Sequence, residues 1–340
     1  MAVLWGDHST DKKLSTKTII SVFEFIVQGQ LISSSSLEIP GYALGYITLG
    51  VTFNLCLALA LEMTNTIRVV VDALYIYPVK SCAPMCVDSL NFNEEGLLAG
   101  DREWAIVDEK SSIVWQGSHP RLALIHPEFQ EEYPVLRNNK GDYVQFERVA
   151  MRTPRDVYIW NDTAKQNDVF VASDAGDEVA AFLENTVGAR LRLVRLGRDA
   201  RRREGSNRAH MVSRTSFDEL SADLPQTAQL PQNLMRFRPN IVVTGWPEPL
   251  VPFLEEQFTK LEWTAAKTTA ALEVLELCIR CVVPNVDPAT GGEDARVLEV
   301  VSKHSAARHP GEPIYFGLYA TSNGPCTLNR GAVLEASLAI

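Results

Sequence analysis

Basic charge is scarce in this 340-residue chain: 32 lysines and arginines stand against 42 aspartates and glutamates, a formal net charge of −10. That balance argues against a general nucleic-acid binder, which usually carries a basic surface, and leaves room for a local cationic pocket. Cysteine is also sparse. Six in 340 residues are too few for a disulfide scaffold, so the thiols read as reduced, in a cytosol-facing domain. No charged start, short apolar core and small-residue cleavage site marks a secretory leader. No GxGxxG follows a strand-like run and there is no CxxCH, so no nicotinamide, flavin or c-type haem site is indicated. Charge is wholly missing from one run, IPGYALGYITLGVTFNLCLALAL, residues 39–61. About 20 apolar residues span a bilayer as a helix, so this run is expected to be a membrane anchor; a buried helix is the alternative. Lys12, Lys13 and Lys17 lie too far upstream to set its orientation.

With 46% hydrophobic and 22% charged residues, the remainder reads as an ordinary folded protein of one large or two smaller domains. Runs rich in β-branched and aromatic residues predict strands at 67–79, 102–108, 112–117, 121–127, 191–197, 240–245, 271–287 and 314–322. The segment 254–263 suits a helix or the lead-in to a strand. Helical spacing with a glycine stop predicts a helix at 177–188, and another is expected over 293–308. Ser213 or Thr215 is placed to cap a short helix within 209–224. NNKGD (138–142), NDTAKQND (161–168) and the five-arginine stretch GRDARRREGSNR (197–208) read as loops. Many short strands with few helices imply a mainly β protein of closed or partly closed barrels. The expected division is an extension at 1–66, one domain at 67–196 and a second at 197–340.

Two groups of residues carry the chemistry. The first is ELCIRCVVPNVDPATGG (276–292), with Cys278 and Cys281 three apart. In a strand these side chains face opposite ways. A redox pair normally opens a helix, whose dipole lowers the thiol pKa, and Pro284 and the β-branched run do not offer one. Zinc needs four ligands, which the CxxxC pair Cys82 and Cys86 would have to complete. Two buried structural cysteines, or one thiolate holding a soft metal beside Arg280, are the other readings. The second group is cationic residues at strand ends: Lys80 and Ser81 in YPVKSC, Arg102 in GDREW, His119 and Arg121 in QGSHPRL, and Arg236, Arg238 and Asn240 in MRFRPNIVV. Arginine forks grip phosphate through paired hydrogen bonds and lysine adds a point charge. Gathered together, these groups suit an anionic ligand.

In that order, YPVKSC, GDREW, QGSHPRL, TSFDEL, RFRPNIVV and CIRCVVPNVDPATG resemble the MOSC proteins. The likeness runs from about Ile67 to Leu334 and is nearest to the mitochondrial amidoxime-reducing components and their bacterial relatives. It implies an N-terminal MOSC β-barrel module followed by a MOSC β-barrel domain. It implies a molybdenum cofactor, a pterin dithiolene with a terminal phosphate, whose metal is ligated by Cys281. By the same resemblance Lys80, Ser81, Arg102, Ser213, Ser216, Arg238 and Asn240 bind the cofactor. Asp287 is expected near the metal in a proton-handling role, and Cys278 is expected to be structural. The implied activity is reduction of N-hydroxylated or N-oxide compounds, with electrons from a partner, cytochrome b5 and its reductase. The implied location is a cytosol-facing domain anchored to a membrane through 39–61, the mitochondrial outer membrane being one candidate and the cytoplasm the alternative. MOSC modules also form the C-terminal part of molybdenum cofactor sulfurases, which makes a non-catalytic cofactor carrier the alternative. Gly331-Ala332 where the family has Gly-Asp, Arg214 and Thr215 between Ser213 and Ser216, and the basic 197–208 stretch depart from the pattern.

Overall fold

The computed structural model describes residues 65–339 apart from 130–132, 148–153, 162, 203–207, 229–230 and 266–267. The expected anchor at 39–61 lies outside the described residues. Among those described, no helix is long and apolar enough to cross a membrane.

The β-branched run from residue 67 forms β1 (Thr66–Ile76). In β1, Val69 and Val71 are buried while Arg68 faces solvent. A register shift between Val71 and Ala73 then leaves Asp72 outside, where Arg214 pairs with it. The first half continues with β2 (Met85–Val87), β3 (Ser89–Phe92), β4 (Trp104–Val107), β5 (Ile125–Glu128), β6 (Val135–Asn138) and β7 (Tyr143–Gln145). Then come β8 (Pro154–Asn161), β9 (Gln166–Asp174), helix α1 (Asp177–Val187) and β10 (Arg192–Leu196). The second half holds α2 (Arg198–Arg202), β11 (Ala209–Ser213), α3 (Arg214–Asp223), β12 (Ile241–Gly245), β13 (Phe258–Ala265) and β14 (Thr268–Ile279). It ends with α4 (Arg296–Arg308), β15 (Tyr315–Ser322), β16 (Cys326–Asn329) and β17 (Val333–Leu338).

Strands β12, β11, β15, β14, β13, β17 and β1 follow one another in a single sheet, and β1 pairs back onto β12. The result is a closed seven-stranded barrel. Val69, Val71, Met211, Ile241, Val243, Leu261, Leu272, Leu318 and Leu334 fill it. Closure leaves no unpaired edge. Strand β1, from the first half of the chain, thus completes the barrel of the second half. Of the other first-half strands, β2 joins the barrel sheet beside β1, β3 pairs with β16, and the rest make two further sheets, β4-β10-β9-β8 and β5-β6-β7. They surround a core in which Trp104 meets Phe146 edge-on at 5.2 Å and α1 packs Val179 and Leu183.

Helix α1 follows its sequence signals: Asp177 and Glu178 occupy the first turn and Gly188 closes it at φ 85°. Other expectations are corrected. SIVWQG (112–117) makes only single bridges, Ile113 to Val107 and Ser112 to Tyr158. Pro120 turns the start of RLALIHP into a 3-10 turn, Pro120–Leu124, before β5. Part of the arginine loop is the helix α2. The segment 254–263 takes the second of its two readings, a 3-10 turn, Leu254–Gln257, leading into β13. Strand β14 stops at Ile279, so Cys281 lies beyond it.

Candidate functional site

Asn240, immediately before β12, is fully buried and joins three segments. Its Oδ1 accepts from the His210 backbone N–H at 3.1 Å and from Arg102 Nη1 at 3.2 Å. Its Nδ2 donates to the Tyr75 carbonyl at 3.1 Å and to Asp101 Oδ1 at 3.0 Å. Asp101 also ion-pairs with Arg102. Arg238 donates through Nη1 to the Cys82 carbonyl at 2.7 Å and stacks 4.2 Å from the Tyr77 ring centroid. Arg102 lies 5.0 Å from the same ring. Two guanidinium groups thus share one buried phenol. Burial pushes the Arg238 pKa down to about 10, and the Arg102 charge adds to the effect. Arg238 Nη2 is buried and has no hydrogen-bond partner. An orphaned charged donor beside a like charge invites an anion.

The turn carrying Lys80 and Ser81 is tied to the same place. The Lys80 N–H donates to the Trp104 carbonyl and the Arg102 N–H to the Tyr77 carbonyl, while Ser81 Oγ accepts from the Gln116 N–H at 3.2 Å. Ser81, Arg102 and Arg238 have φ of 70°, 48° and 55°, three of the six left-handed non-glycine residues described. Such conformations cost about 1–3 kcal/mol each and cluster at ligand sites. Arg102, Arg238 and Asn240, expected from strand-end chemistry, are brought together around Tyr77 and Asp101, and the backbone of the Lys80–Ser81 turn is tied to the neighbouring strand.

Beyond this corner lies the end of β14. His210 sets Nδ1 3.4 Å from the Arg238 carbonyl and Nε2 3.3 Å from the Phe316 carbonyl, and its ring meets Tyr319 at 5.5 Å. Arg280 donates through Nη1 to Cys278 Sγ at 3.0 Å and through Nη2 to the Phe237 carbonyl at 3.1 Å, leaving Nε buried without a partner. Burial pushes the Cys278 thiol up, but the Arg280 and His210 charges and hydrogen bonds from His210 and Tyr319 outweigh it, bringing the thiol down to about 6. Cys281 is exposed. Room for His210 depends on Gly317, at φ 75° in the irregular part of β15, where a Cβ would lie 2.6 Å from His210 Nε2.

Three further expected residues have partners of their own. Ser213 and Ser216 gather around Glu255 rather than the arginines: the Ser213 N–H donates to Oε1 at 3.4 Å and the Ser216 hydroxyl to Oε2 at 2.6 Å. Asp287 lies 3.4 Å from the buried Arg236, whose Nη1 also binds the Pro284 and Asn285 carbonyls. It thereby holds the turn after Cys281. Among the described residues no three His, Cys, Asp or Glu side chains gather to hold a metal ion, so the four-cysteine zinc reading falls. Cys82 is buried, its thiol pushed up to about 12, and Cys86 is exposed. No helix opens at Cys278, which removes the redox-pair geometry. Arg121 packs on the DPATGG turn, where a Cβ on Gly291 would come 3.3 Å from its Cα, and donates through Nη1 to the Val187 carbonyl at 3.4 Å. Arg214 is accounted for by its ion pair with Asp72. The reading of the sequence missed Asp101, His210 and Tyr319. A histidine inside the apolar run AHMVS was the only available sign.

Residues 68–190 match the MOSC N-terminal beta barrel domain and residues 199–335 match the MOSC domain. The chain belongs to the MOSC family. This MOSC protein is 24% identical over 295 residues to the molybdenum cofactor sulfurase of Bos taurus, covering 77% of this chain and 32% of that one. It is 29% identical over 262 residues to the molybdenum cofactor sulfurase of Drosophila grimshawi, covering 72% and 31%. It is 26% identical over 246 residues to mitochondrial amidoxime-reducing component 1 of Xenopus laevis, covering 65% and 67%. The chain thus spans about a third of the length of the sulfurases it matches.

Proposed function

We propose that this MOSC protein binds a molybdenum cofactor and, with electrons from a partner protein, reduces N-hydroxylated or N-oxide compounds. The observation that carries the reading is the pair of partnerless buried guanidinium nitrogens, Arg238 Nη2 and Arg280 Nε, with the exposed Cys281 next to Arg280 in the chain. A phosphate-bearing group with a soft metal suits both ends: phosphate takes charge-assisted bonds from arginine, and a thiolate suits molybdenum better than a hard cation.

Arg238 and Arg102 bind the phosphate end, and Lys80 and Ser81 line the same corner. Cys281 is the metal ligand. Asn240 and Asp101 hold Arg102 in place, and Asp287 with Arg236 holds the turn that presents Cys281. Ser213 and Ser216 support the start of α3 through Glu255. When bound, the cofactor supplies two-electron removal of oxygen from the substrate, the chemistry the protein cannot perform itself. The segment 39–61 anchors the domain to a membrane, the mitochondrial outer membrane by family analogy, beside a cytochrome b5 and its reductase.

The test is molybdenum and pterin content of the full chain from a host that makes the eukaryotic cofactor, followed by amidoxime reduction with the cytochrome b5 system. About one of each per chain, with turnover, supports the reading; no molybdenum removes it. Molybdenum without turnover with any donor favours a cofactor carrier, the reading that the matched third of the sulfurases supports. Carbonate extraction tests the anchor, since a spanning chain stays with the membrane pellet.

A further inference from the structure

Every charged side chain between Leu275 and Asp287 is already engaged. Glu276 pairs with Arg208, Arg280 turns inward to Cys278 and Phe237, and Asp287 pairs with Arg236. Two neighbours of Cys281 face outward instead. Ile279, the last residue of β14, is 60% exposed, and Val282, at the start of the following 3-10 turn, is 42% exposed. Both are β-branched, stiff at χ1, and unable to donate or accept a hydrogen bond. Hydrocarbon thus stands exposed on both sides of Cys281 in the chain, and exposed apolar groups beside a site favour apolar partners.

We infer that Ile279 and Val282 form an apolar lip that selects substrates by the aliphatic or aromatic body attached to the reacting N–O group. This rests on the assignment of Cys281 as the metal ligand. A substrate approaching a metal at Cys281 meets the outward groups that flank the thiol, and here both are hydrocarbon. The guanidinium groups that would attract a small anion lie inward and engage the cofactor. The lip therefore favours uncharged N-hydroxylated compounds with an apolar body over compact polar ones such as hydroxylamine. Burying one branched side chain against such a body corresponds to a three- to tenfold change in affinity, on the order of what part of a side chain's apolar area supplies.

The experiment compares wild type, Ile279→Asp, Val282→Asp and the conservative Ile279→Val, all loaded with cofactor. Molybdenum content is read first and is expected to be equal in all four. Steady-state reduction of an aromatic amidoxime and of hydroxylamine is then measured, together with calorimetric binding of the amidoxime to the oxidised protein without an electron donor. Each aspartate variant is expected to raise the amidoxime KM and Kd about three- to tenfold. The KM for hydroxylamine and both kcat values stay put, and Ile279→Val behaves as wild type. Equal loss for both substrates, or no loss of amidoxime binding, overturns the lip. Amidoxime binding that the aspartates weaken, in a protein that reduces neither compound, keeps the lip and removes the enzyme reading.

Discussion

Arg280 donates to the Sγ of Cys278 at 3.0 Å, and this contact makes the inner cysteine of the CIRC run an acid rather than inert packing. Burial alone would hold the thiol protonated; the Arg280 and His210 charges reverse that and lower it from 9.0 to about 6. A depressed folded pKa adds stability that is fully present above the ordinary thiol value and is lost as pH falls through the folded one. In the cofactor-free protein, thiolate ultraviolet absorbance should titrate near pH 6 and vanish in Cys278→Ser. A midpoint near 9 would refute the pairing.

Removing the two cysteines should separate two effects. Cys278→Ala strands the Arg280 guanidinium and should cost about 3 kcal/mol in a urea melt. Cys281→Ala alters an exposed side chain and should stay within about 0.5 kcal/mol of wild type while abolishing molybdenum retention. Equal loss of metal from both variants would contradict the single-ligand assignment.

Arg238→Lys keeps the positive charge but loses the planar fork that stacks on Tyr77 and reaches the Cys82 carbonyl. Lysine offers a point charge where arginine offers paired bonds. Pterin retained after dialysis should fall about tenfold, the size of one lost charge-assisted bond. Full retention would detach Arg238 from the phosphate.

Gly317→Ala tests the packing beneath His210. The new methyl would sit 2.5 Å from the Met211 carbonyl oxygen and 2.6 Å from His210 Nε2, on a backbone at φ 75°. Strain and clash together predict a loss of about 2–4 kcal/mol by thermal melting. An unchanged melting temperature would mean that β15 moves freely there.

Glu255 gives a pH dependence of opposite sign to Cys278. Burial raises its carboxyl from 4.5 to about 7, against the hydrogen bonds from Ser216 and Ser213 that favour the ionised form. The folded state therefore holds the proton more tightly, and the group's stabilisation is present below pH 4.5 and lost as pH rises through 7. Glu255→Gln should flatten the fall in melting temperature between those values. Parallel curves for the two proteins would rule this out.

Part of the site was legible because it depends on chemistry at chain turns. Lys80, Ser81, Arg102, Arg238 and Asn240 stand out as basic or polar groups at strand ends, and chain order needs no pairing to reveal them. Ser213 and Ser216 share that local appearance, yet the Ser213 N–H at the end of β11 and the Ser216 hydroxyl in α3 both bond Glu255, a residue far along the chain. His210 and Tyr319 became visible as neighbours only because β11 and β15 pair them directly, a relationship between distant segments that no local pattern encodes. The β8–β9 hairpin escaped for a related reason: Tyr158, Trp160, Val169 and Val171 keep its outer face apolar and exposed, which blurs the alternation that marks a half-buried strand.

The sequence by itself determined the mainly β character, helix α1 with its Gly188 stop, and the arginine and cysteine motifs, because each depends on residue type at short spacing. Tertiary structure alone decided that β1 closes the barrel of the other half, that Arg238 and Arg102 share Tyr77, and that Arg280 turns to Cys278 while Cys281 faces out. Those outcomes depend on strand register and burial, where neighbours far apart in the chain set each side chain's direction and charge state.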